Sequence, residues 1–428
     1  MHQVFRGREI YEQQLALSDL TMRMRKIGVR IDRAAVEEHR KHLETTLASY
    51  VQAFERLVPF KHVVRGKTLK TRSHVYIGPY RLGAIGSHSD LRRLFFGRFG
   101  LIPTSYTEEG QPCLDDDALL SIAQAQSLPG EAARQILSYR EKATLKSRYV
   151  DGLPIFDDGR LHAEWKSWGT KTLRWASKGP NMQNLPEIMR NMLIADEGKF
   201  FVKTDMSSLE LIIMGLLSGD EQIIEWYNRG LSGYLETAKV VYKCPTMTKH
   251  DKRYKLFKSV ILGLNYGAGA ETVWRLMLPK SPGIKLQEIK QIIDTWFSAR
   301  HRVYDWRVQH LKECQQRKYV EAELSGLRQY FYDDDIDPTK ALNFPMQANG
   351  AKIVNDATLE LDAALDWSTE QLLLSVHDEL VTQGPDPKHL VALQRKAMER
   401  TITLGGRTIT LKTESGFGTN YRDMEPIA

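Results

Sequence analysis

The sequence of 428 residues is poor in cysteine and has no long apolar run. Cys113, Cys244 and Cys314 lie far apart, so they offer neither a disulfide framework nor the usual spacing of metal ligands. The absence of a run of about 18 apolar residues excludes a transmembrane helix. The polar start, MHQVFRGREIYEQQ, lacks the apolar core of a signal peptide. These absences predict a protein of a reducing cytoplasm, without a membrane partner.

Internal repeats and low-complexity linkers are also missing, and acidic residues are scarce in one segment. Residues 61–98 hold nine Lys or Arg against one acid, Asp90, with glycine and aromatic residues between them. The formal net charge of the chain is +7, which favours a polyanionic partner. The segment is either a solvated surface loop or a stretch that follows nucleic-acid phosphates.

The composition that is present, 42% hydrophobic and 26% charged, is typical of a globular protein with two or three structural units. Apolar periodicity predicts helices within 10–57, 116–125, 130–148, most of 220–320, 350–366 and 388–402. Strands are predicted at RLHAEW (160–165), KFFVKTD (199–205), LLLSVHD (372–378), ELVTQG (379–384) and TITLKTES (408–415). The order predicts an α+β fold with a largely helical block inserted into a sheet unit.

Carboxylates follow two of the predicted apolar strands. Asp205 ends one strand, and Asp378 and Glu379 lie at the turn of a hairpin-like pair. An unpaired charge beside an apolar strand is costly, and carboxylate oxygens suit Mg²⁺. We therefore favour Asp205 and Asp378 as ligands of a two-metal site. The aspartate runs at 115–117 and 333–335 lie in polar surroundings and are predicted to be surface or helix-cap residues.

The two stretches that contain Asp205 and Asp378 resemble motifs of a known family. DMSSLELIIMGLLSGD (205–220) and SVHDELV (375–381) resemble the first and third catalytic motifs of DNA polymerase I-type enzymes, family A. Shorter segments agree with the same family: GVRID, YREKATLKSRYVDGLP, RWASKGPNMQNLP, NFPMQANGAK and GFGTNY. The resemblance covers nearly the whole chain and implies the right-hand fold of thumb, palm with an antiparallel sheet, and helical fingers. The implied domains are thumb 1–150, palm 151–205, fingers 206–340 and palm 341–428.

The resemblance also implies a metal site. Asp205 and Asp378 would bind two Mg²⁺ ions, for which Mn²⁺ is a substitute, and Glu379 would support that site. The implied reaction adds deoxynucleotides to a primer 3′-hydroxyl and releases pyrophosphate. The implied partners are primer–template DNA and deoxynucleoside triphosphates.

A helix in DKRYKLFKSVILGLNYGAG (251–269) resembles the family's second motif. Lys258, Leu262 and Tyr266 are four residues apart, which places them on one helix face. The resemblance implies that Lys258 meets the nucleotide phosphates and protonates the leaving pyrophosphate. It implies that Tyr266 closes over the base pair and that Gly267 leaves room for the template.

This chain departs from the family motifs at several positions. Tyr254 replaces an arginine, so Arg253 or Lys255 is expected to supply the phosphate contact. Leu262 replaces an aromatic residue, and Tyr234 stands at a histidine position. The departures predict a divergent, bacteriophage-type member acting in the host cytoplasm, and they leave fine nucleotide selection open.

The same resemblance assigns residues to the duplex. Arg174, Gln347 and Asn343 would reach the minor groove, where nearly uniform acceptors report pair geometry but not sequence. Gln183 would position template or primer, although Asx-turn hydrogen bonding explains its neighbouring asparagines equally well. His377 would approach the primer terminus, with a purely structural histidine as the alternative.

Glu210 predicts use of deoxynucleotides, because the family's glutamate at this position fills the space of a ribose 2′-hydroxyl. Thumb-like sequence starts within the first fifteen residues, so no intrinsic proofreading nuclease is expected. A separate exonuclease, a helicase or a processivity factor stays open as a partner. The alternatives are an RNA polymerase-like enzyme on the same scaffold and a catalytically silent DNA-binding subunit.

Overall fold

A computed structural model describes residues 2–58, 91–265, 267–278, 281, 283–332 and 336–427, with side chains from residue 7 onward. Most of the basic segment, the aspartates at 333–335 and Tyr266 lie outside these residues. The chain divides into two compact units. The larger unit contains Met1–Arg33, Leu153–Met277 and Ile284–Ala428, and the smaller unit contains Ala34–Gly152 with Leu278–Gly283.

Helices make up most of the regular structure. They are α1 His2–Ile27, α2 Arg33–Leu57, α3 Asp116–Ala123, α4 Leu128–Lys146, α5 Leu209–Ser218, α6 Glu221–Asn228, α7 Gly233–Val241, α8 Lys252–Asn265, α9 Ala270–Met277, α10 Leu286–Ala299, α11 His301–Arg317, α12 Pro338–Ala364 and α13 Pro387–Met398. Short π-helical turns cover Arg93–Arg98 and Ser147–Asp151, and 3₁₀ turns cover Met182–Asn184 and Glu187–Met192.

The strands are short, and their pairing is antiparallel. They are β1 Val29–Ile31, β2 Arg160–Leu161, β3 Glu164–Lys166, β4 Ala176–Lys178, β5 Leu193–Ile194, β6 Phe200–Met206, β7 Tyr319–Glu321, β8 Arg328–Tyr330, β9 Gln371–Val376, β10 Glu379–Gly384, β11 Thr401–Leu404, β12 Arg407–Thr410, β13 Thr413–Gly418 and β14 Glu425–Pro426. The predicted α+β class is therefore confirmed.

The smaller unit is helical in its described part and has its own apolar core. Phe54 from α2, Phe95 from a π-helical turn and Ile136 from α4 are fully buried in it. Asp115, from the first aspartate run, accepts a hydrogen bond from the Ala118 amide at the start of α3. That bond satisfies an otherwise unpaired helix N–H, so Asp115 is a cap residue as the sequence predicted.

The larger unit is built on a sheet with the strand order β14-β13-β6-β10-β9. Every residue of β9 and β10 is buried, including the polar residues Thr382 and Gln383 of β10. Helix α5 follows β6 after Ser208, whose φ of 53° is left-handed, and seven of its ten residues are buried. The strands thus bring the segment near residue 205 beside the segment near residue 378.

Two predictions near the end of the chain were wrong in detail. The helix predicted over 388–402 ends at Met398, and Thr401–Leu404 forms β11 instead. Gly405 and Gly406, with φ of 59° and 71°, turn the chain into β12. Two adjacent glycines with positive φ suit the tight turn of a hairpin. TITLKTES is consequently divided between β12 and β13 and is not a single strand.

In the described part of the chain, no helix is both long enough and apolar enough to cross a bilayer.

Candidate active site

Asp205 is the last residue but one of β6, and Asp378 lies in the turn just before β10, where it forms part of the wall of a cleft in the larger unit. Asp205, near the end of β6, is the register partner of Glu379 on β10. The Asp378 carbonyl accepts a hydrogen bond of 3.2 Å from the Met206 amide. Facing Cα atoms of antiparallel strands are about 4.5–5.5 Å apart, and Asp378 directly precedes Glu379, so Asp205 and Asp378 are close neighbours.

The charge of this pair is poorly neutralised by the protein. Burial, with the Asp378 and Glu379 carboxylates, raises the pKa of Asp205 to about 7. Burial also raises the pKa of Asp378 to about 6, and the Glu210 carboxylate acts in the same direction. Carboxylates that repel one another in this way are stabilised by a cation between them.

The donor set fits Mg²⁺. No cluster of three or more His, Cys, Asp or Glu side chains able to hold a metal occurs among the described residues. Mg²⁺ is commonly held by one or two carboxylates and keeps its other positions for water and substrate phosphate oxygens. A pair of carboxylates such as Asp205 and Asp378 is thus a sufficient protein contribution for a site of this kind.

Glu379 is oriented away from this role. Its side chain is buried, accepts a short hydrogen bond from the Tyr421 hydroxyl, and lies 3.6 Å from Lys203 Nζ. Burial and the Glu379 carboxylate raise the pKa of Tyr421, so the phenol stays a donor. These contacts hold the Glu379 side chain in place beside Asp205, its register partner.

Most of the residues predicted to contact the duplex or the nucleotide sugar line a single cleft of about 260 Å³. Its walls include six residues singled out from the sequence: Arg174, Gln183, Glu210, Gln347, His377 and Asp378. The sequence missed other residues of the same walls, among them Thr170, Trp175, Leu209 and Asn355. Trp175 lies inside RWASKGPNMQNLP, so the motif itself was the available signal.

Several cleft residues are held by hydrogen bonds. Arg174 Nη2 donates to Glu210 Oε1 at 2.7 Å. Gln183 Nε2 donates to the Ser375 carbonyl on β9 at 3.1 Å. Gln347 Oε1 accepts from the Thr172 hydroxyl at 3.3 Å. These bonds fix the cleft walls to β9 and to the segment before β4.

His377 occupies the turn between β9 and β10 with a φ of 60°. A left-handed conformation is uncommon for residues other than glycine, and such strain often marks functional positions. Desolvation, followed by the nearby Arg174, lowers the pKa of His377, so the imidazole is neutral near pH 7. Neutral His377 can donate or accept a hydrogen bond at the cleft.

Helix α8 carries the predicted nucleotide contacts, but none of them is part of the cleft wall. Lys258 is exposed, with Nζ 5.7 Å from the ring centre of Tyr234. Leu262 is half-buried, and Tyr266 lies outside the described residues. The Tyr234 ring, at the family's histidine position, thus gives Lys258 a cation–π neighbour.

The residues proposed to replace the missing arginine are on the surface of α8. Arg253 and Lys255 are both exposed, whereas Tyr254 is buried. Arg253 Nη2 donates to Asp251 Oδ2 at 2.7 Å. Tyr254 is buried and its side chain carries no positive charge, so it does not substitute for an arginine on the surface of α8.

Two expectations from the motifs are modified by the structure. Asn343 lies one turn before Gln347 on α12 but is absent from the cleft wall, and its Oδ1 is buried with no hydrogen-bond partner among the described residues. A Cβ at Gly267 would lie 2.5 Å from Thr339 Cα. Gly267 is therefore required by packing against the start of α12, which is a reason other than the expected clearance for a template.

Asn181 forms a hydrogen-bonded turn beside the cleft. Asn181 Oδ1 accepts hydrogen bonds from the amides of Gln183 and Asn184 at 3.1 and 3.2 Å. This is the Asx turn considered from the sequence, and it presents the Gln183 side chain to the cleft.

Comparison with known proteins places this geometry in a family. The family described as DNA polymerase family A matches residues 63–423. Over 97% of its length the chain is 29% identical to the thermostable DNA polymerase I of Thermus filiformis, of which it covers 48%. It is 26% identical to DNA polymerase I of Chloroflexus aurantiacus, covering 98% of the chain and 43% of that protein. The chain thus spans about half the length of these relatives.

A solved structure shares the fold. It is the POL domain of Pol1 from M. smegmatis in complex with DNA primer-template and dNTP. The TM-score is 0.78 at 24% identity, and the match covers 95% of this chain and 70% of that one.

Proposed function

The chain belongs to DNA polymerase family A, and from that premise we propose that it extends a primer 3′-hydroxyl with deoxynucleotides chosen by a template. The observation that carries the proposal is that the pairing of β6 with β10 brings Asp205 beside Asp378, which lines the cleft. The cleft walls bear groups suited to a sugar and a duplex. Positioning and electrostatics supply most of the rate in such a reaction.

Asp205 and Asp378 would hold the metal ions. Two Mg²⁺ ions held there, or Mn²⁺ in their place, would activate the primer hydroxyl and stabilise the leaving pyrophosphate. Glu379, bound to Tyr421, keeps the end of β10 in place. Lys258 contacts the nucleotide phosphates and donates a proton to the leaving group, and Tyr266 and Leu262 bound the nucleotide. Arg253 or Lys255 provides an additional phosphate contact.

Arg174, Gln347, Gln183 and His377 contact the primer–template duplex in this proposal. Arg174 is paired with Glu210. A primer end that binds Arg174 therefore either breaks this ion pair or shares the guanidinium with Glu210. Asn343 is one turn before Gln347 on α12, and it affects the duplex contact indirectly, through the position of that helix. The smaller unit, with the basic segment, takes the thumb's role of gripping duplex phosphates, and residues 206–340 that of the fingers.

The primary test is primer extension on a defined template with all four deoxynucleoside triphosphates. Wild-type protein is expected to add the complementary nucleotide, and Asp205→Asn and Asp378→Asn are expected to abolish addition while still binding DNA. A catalytically silent subunit would show no extension with any of the three proteins. Extension unaffected by either substitution would refute the assigned metal ligands.

Glu210 is proposed to exclude ribonucleotides, because its side chain fills space at the cleft wall beside Asp378. Incorporation of each sugar is measured for wild type and Glu210→Ala. We expect wild type to prefer deoxynucleotides and the alanine variant to lose part of that preference. Equal use of both sugars by wild type would favour the RNA polymerase-like alternative.

The origin and setting of the enzyme stay predictions. The relatives compared above are bacterial, so the bacteriophage-type origin rests on the motif departures alone. The host cytoplasm, and a separate exonuclease, helicase or processivity factor, are proposals that a pull-down from the source cells would test.

A further inference from the structure

A buried polar cluster lies behind the strands that carry the metal-binding carboxylates. Its centre is Gln394 on α13, which is fully buried, as are Thr204 on β6 and Thr382 on β10. The Ser415 hydroxyl on β13 completes the cluster, 3.0 Å from the Thr204 hydroxyl. The sequence analysis singled out none of these residues, because a lone glutamine in an amphipathic helix has no distinguishing pattern.

The side chain of Gln394 bonds to both strands of the site. Its Nε2 donates to the Val202 carbonyl of β6 at 3.2 Å and to the Leu380 carbonyl of β10 at 3.4 Å. The same nitrogen lies 3.1 Å from the Thr382 hydroxyl. Its Oε1 accepts a short hydrogen bond from the Thr204 hydroxyl. One side chain therefore links β6 to β10 independently of the backbone ladder.

The cluster is next to the carboxylates in sequence and opposite to them on the sheet. Successive residues of a strand point to opposite faces, so Thr204 facing α13 places Asp205 on the other face. Leu380, whose carbonyl Gln394 binds, is two residues after Asp378 and is the register partner of Thr204. A shift of one strand against the other would have to break the bonds to Gln394.

Burying an amide is costly where an apolar side chain would pack as well. Gln394 lies among fully buried apolar residues, including Leu390 and Met398 of the same helix. Apolar packing tolerates small slides between strands, whereas directed hydrogen bonds select a single arrangement. A fixed register of β6 against β10 would offset this cost, because that register sets the positions of Asp205 and Asp378.

We propose that Gln394 is a positioning residue that fixes the separation of Asp205 and Asp378, and so sets the affinity of the pair for divalent cations. The inference rests on the proposed function for the identity of the metal ligands. It acts through β6 and β10, because Gln394 lies on the far side of the sheet.

The sheet contains a matched control. Gln383 on β10 is also buried, and its Nε2 donates to Asp196 Oδ2 at 2.8 Å and to Gln371 Oε1 at 3.0 Å. Its register partner is Phe201, at the end of β6 away from Asp205. Loss of either glutamine removes a buried amide and its hydrogen bonds beside β10, but only Gln394 bonds to β6 and β10 next to the carboxylates.

The experiment compares full-length Gln394→Leu and Gln383→Leu with wild type. Mn²⁺ binding without DNA is followed by electron paramagnetic resonance, folding by urea denaturation, and the Mg²⁺ requirement by primer extension. We expect both substitutions to lower the urea midpoint. Only Gln394→Leu is expected to weaken Mn²⁺ binding, by about tenfold, as is typical when groups supporting metal ligands are removed. The Mg²⁺ concentration for half-maximal extension should rise in parallel.

A second variant separates positioning from stability. Gln394→Leu combined with Thr204→Val and Thr382→Val also replaces the two hydroxyl partners of Gln394 by apolar groups of similar shape, which restores part of the stability. We expect its Mn²⁺ binding to stay weak. Wild-type Mn²⁺ affinity in this variant or in Gln394→Leu, or an equal loss in Gln383→Leu, would overturn the proposal. If Gln394→Leu does not fold, the triple variant decides by the same criterion.

The outcomes are distinct from those that test the proposed function. A wild-type protein that binds Mn²⁺ but fails to extend a primer refutes the polymerase assignment, and the Mn²⁺ comparison still tests Gln394.

Discussion

The acidic side chains at the cleft differ in how their charge is balanced. Glu379 is bound by the Tyr421 hydroxyl and faces Lys203. Burial instead raises the pKa values of Asp205 and Asp378. These two aspartates hold the charge that a cation can neutralise, and in the metal-free protein that charge opposes folding.

We predict that Asp205→Asn and Asp378→Asn stabilise the metal-free protein at pH 8. A carboxyl whose pKa is raised by folding binds more protons folded than unfolded, so stability falls as pH rises from about 4 to about 7. Asparagine carries no such charge, and the gain in free energy of unfolding should be on the order of 1–3 kcal/mol. Urea denaturation in EDTA at pH 8 and pH 4 measures it, and the gain should disappear at pH 4.

The control for this prediction is Asp157→Asn, since Asp157 is exposed in a turn. It should leave the urea midpoint unchanged at both pH values. Added Mg²⁺ should stabilise wild type and the control but neither active-site variant. Destabilisation by both active-site substitutions in EDTA at pH 8 would contradict the electrostatic picture.

Removing the Tyr421 hydroxyl tests the support of Glu379. Tyr421→Phe keeps the ring and leaves the buried Glu379 carboxylate without its short hydrogen bond. The expected loss of unfolding free energy is about 1–3 kcal/mol, measured by urea denaturation at pH 7. Tyr11→Phe is the matched control, because Tyr11 is 63% exposed on α1 and should cost nothing measurable. Equal midpoints for Tyr421→Phe and wild type would count against this bond.

At the residue scale, the sequence predicted some residues of the candidate site and missed others. Asp205 and Asp378 were predicted because each interrupts an apolar strand, where a bare charge needs a reason. Lys203 and Tyr421 were missed, since strand alternation does not tell which polar side chain reaches across the sheet. Only the fold brings Tyr421 to Glu379, across 42 residues of chain.

At the scale of elements, the end of α8 is fixed by its packing on α12. Gly267 has a φ of 78°, and the Thr339 hydroxyl donates to its carbonyl at 3.3 Å. Arg307 of α11 donates to the Leu264 carbonyl at 2.7 Å, which caps the last turn of α8. The orientation of Lys258 and Leu262 therefore depends on contacts made by two other helices.

We predict that Gly267→Ala destabilises the protein and weakens nucleotide binding. A Cβ would meet Thr339 Cα, and the left-handed φ adds strain, so the cost should be about 1–3 kcal/mol. Gly269→Ala is the control, because a Cβ there has no atom within 4 Å. Urea denaturation and the KM for the incoming nucleotide are the measurements. Equal effects of the two substitutions would show that the packing and the left-handed φ at Gly267 do not require glycine.

Elements were predicted well where one pattern dominates. Periodic apolar residues located α3, α4 and the helices between β6 and β7, and apolar runs located β6, β9 and β10. The hairpin of β11 and β12 was missed because Thr401–Leu404 directly continues an amphipathic helix. Only the following Gly405-Gly406 pair indicates that the chain reverses there.

At the scale of the whole molecule, the net charge of +7 is concentrated in a way that suits a polyanion. The segment 61–98 carries nine cationic side chains against one acid, and residues 59–90 lie outside those described. Its proposed role in duplex binding therefore rests on sequence alone, and a salt dependence is the direct test.

Replacing Lys61, Arg65, Lys67 and Lys70 by glutamine should flatten the salt dependence of DNA affinity. Each DNA phosphate that the protein no longer neutralises reduces the slope of log K against log salt by about 0.9. Fluorescence anisotropy of labelled primer–template DNA over a salt series measures the slope. The control is Lys388→Gln with Lys396→Gln, two exposed residues of α13, which together remove half as many positive charges. This control should leave the slope unaltered. An unchanged slope in the fourfold variant would favour the solvated-loop interpretation.

The central claim is that strands distant in the chain bring Asp205 and Asp378 together around two divalent cations. Anomalous X-ray diffraction from crystals grown with primer–template DNA, a non-hydrolysable deoxynucleotide and Mn²⁺ tests it most directly. The account predicts two anomalous peaks about 3.5–4 Å apart, both in contact with the two carboxylates. Peaks located elsewhere, with none between these side chains, would contradict it.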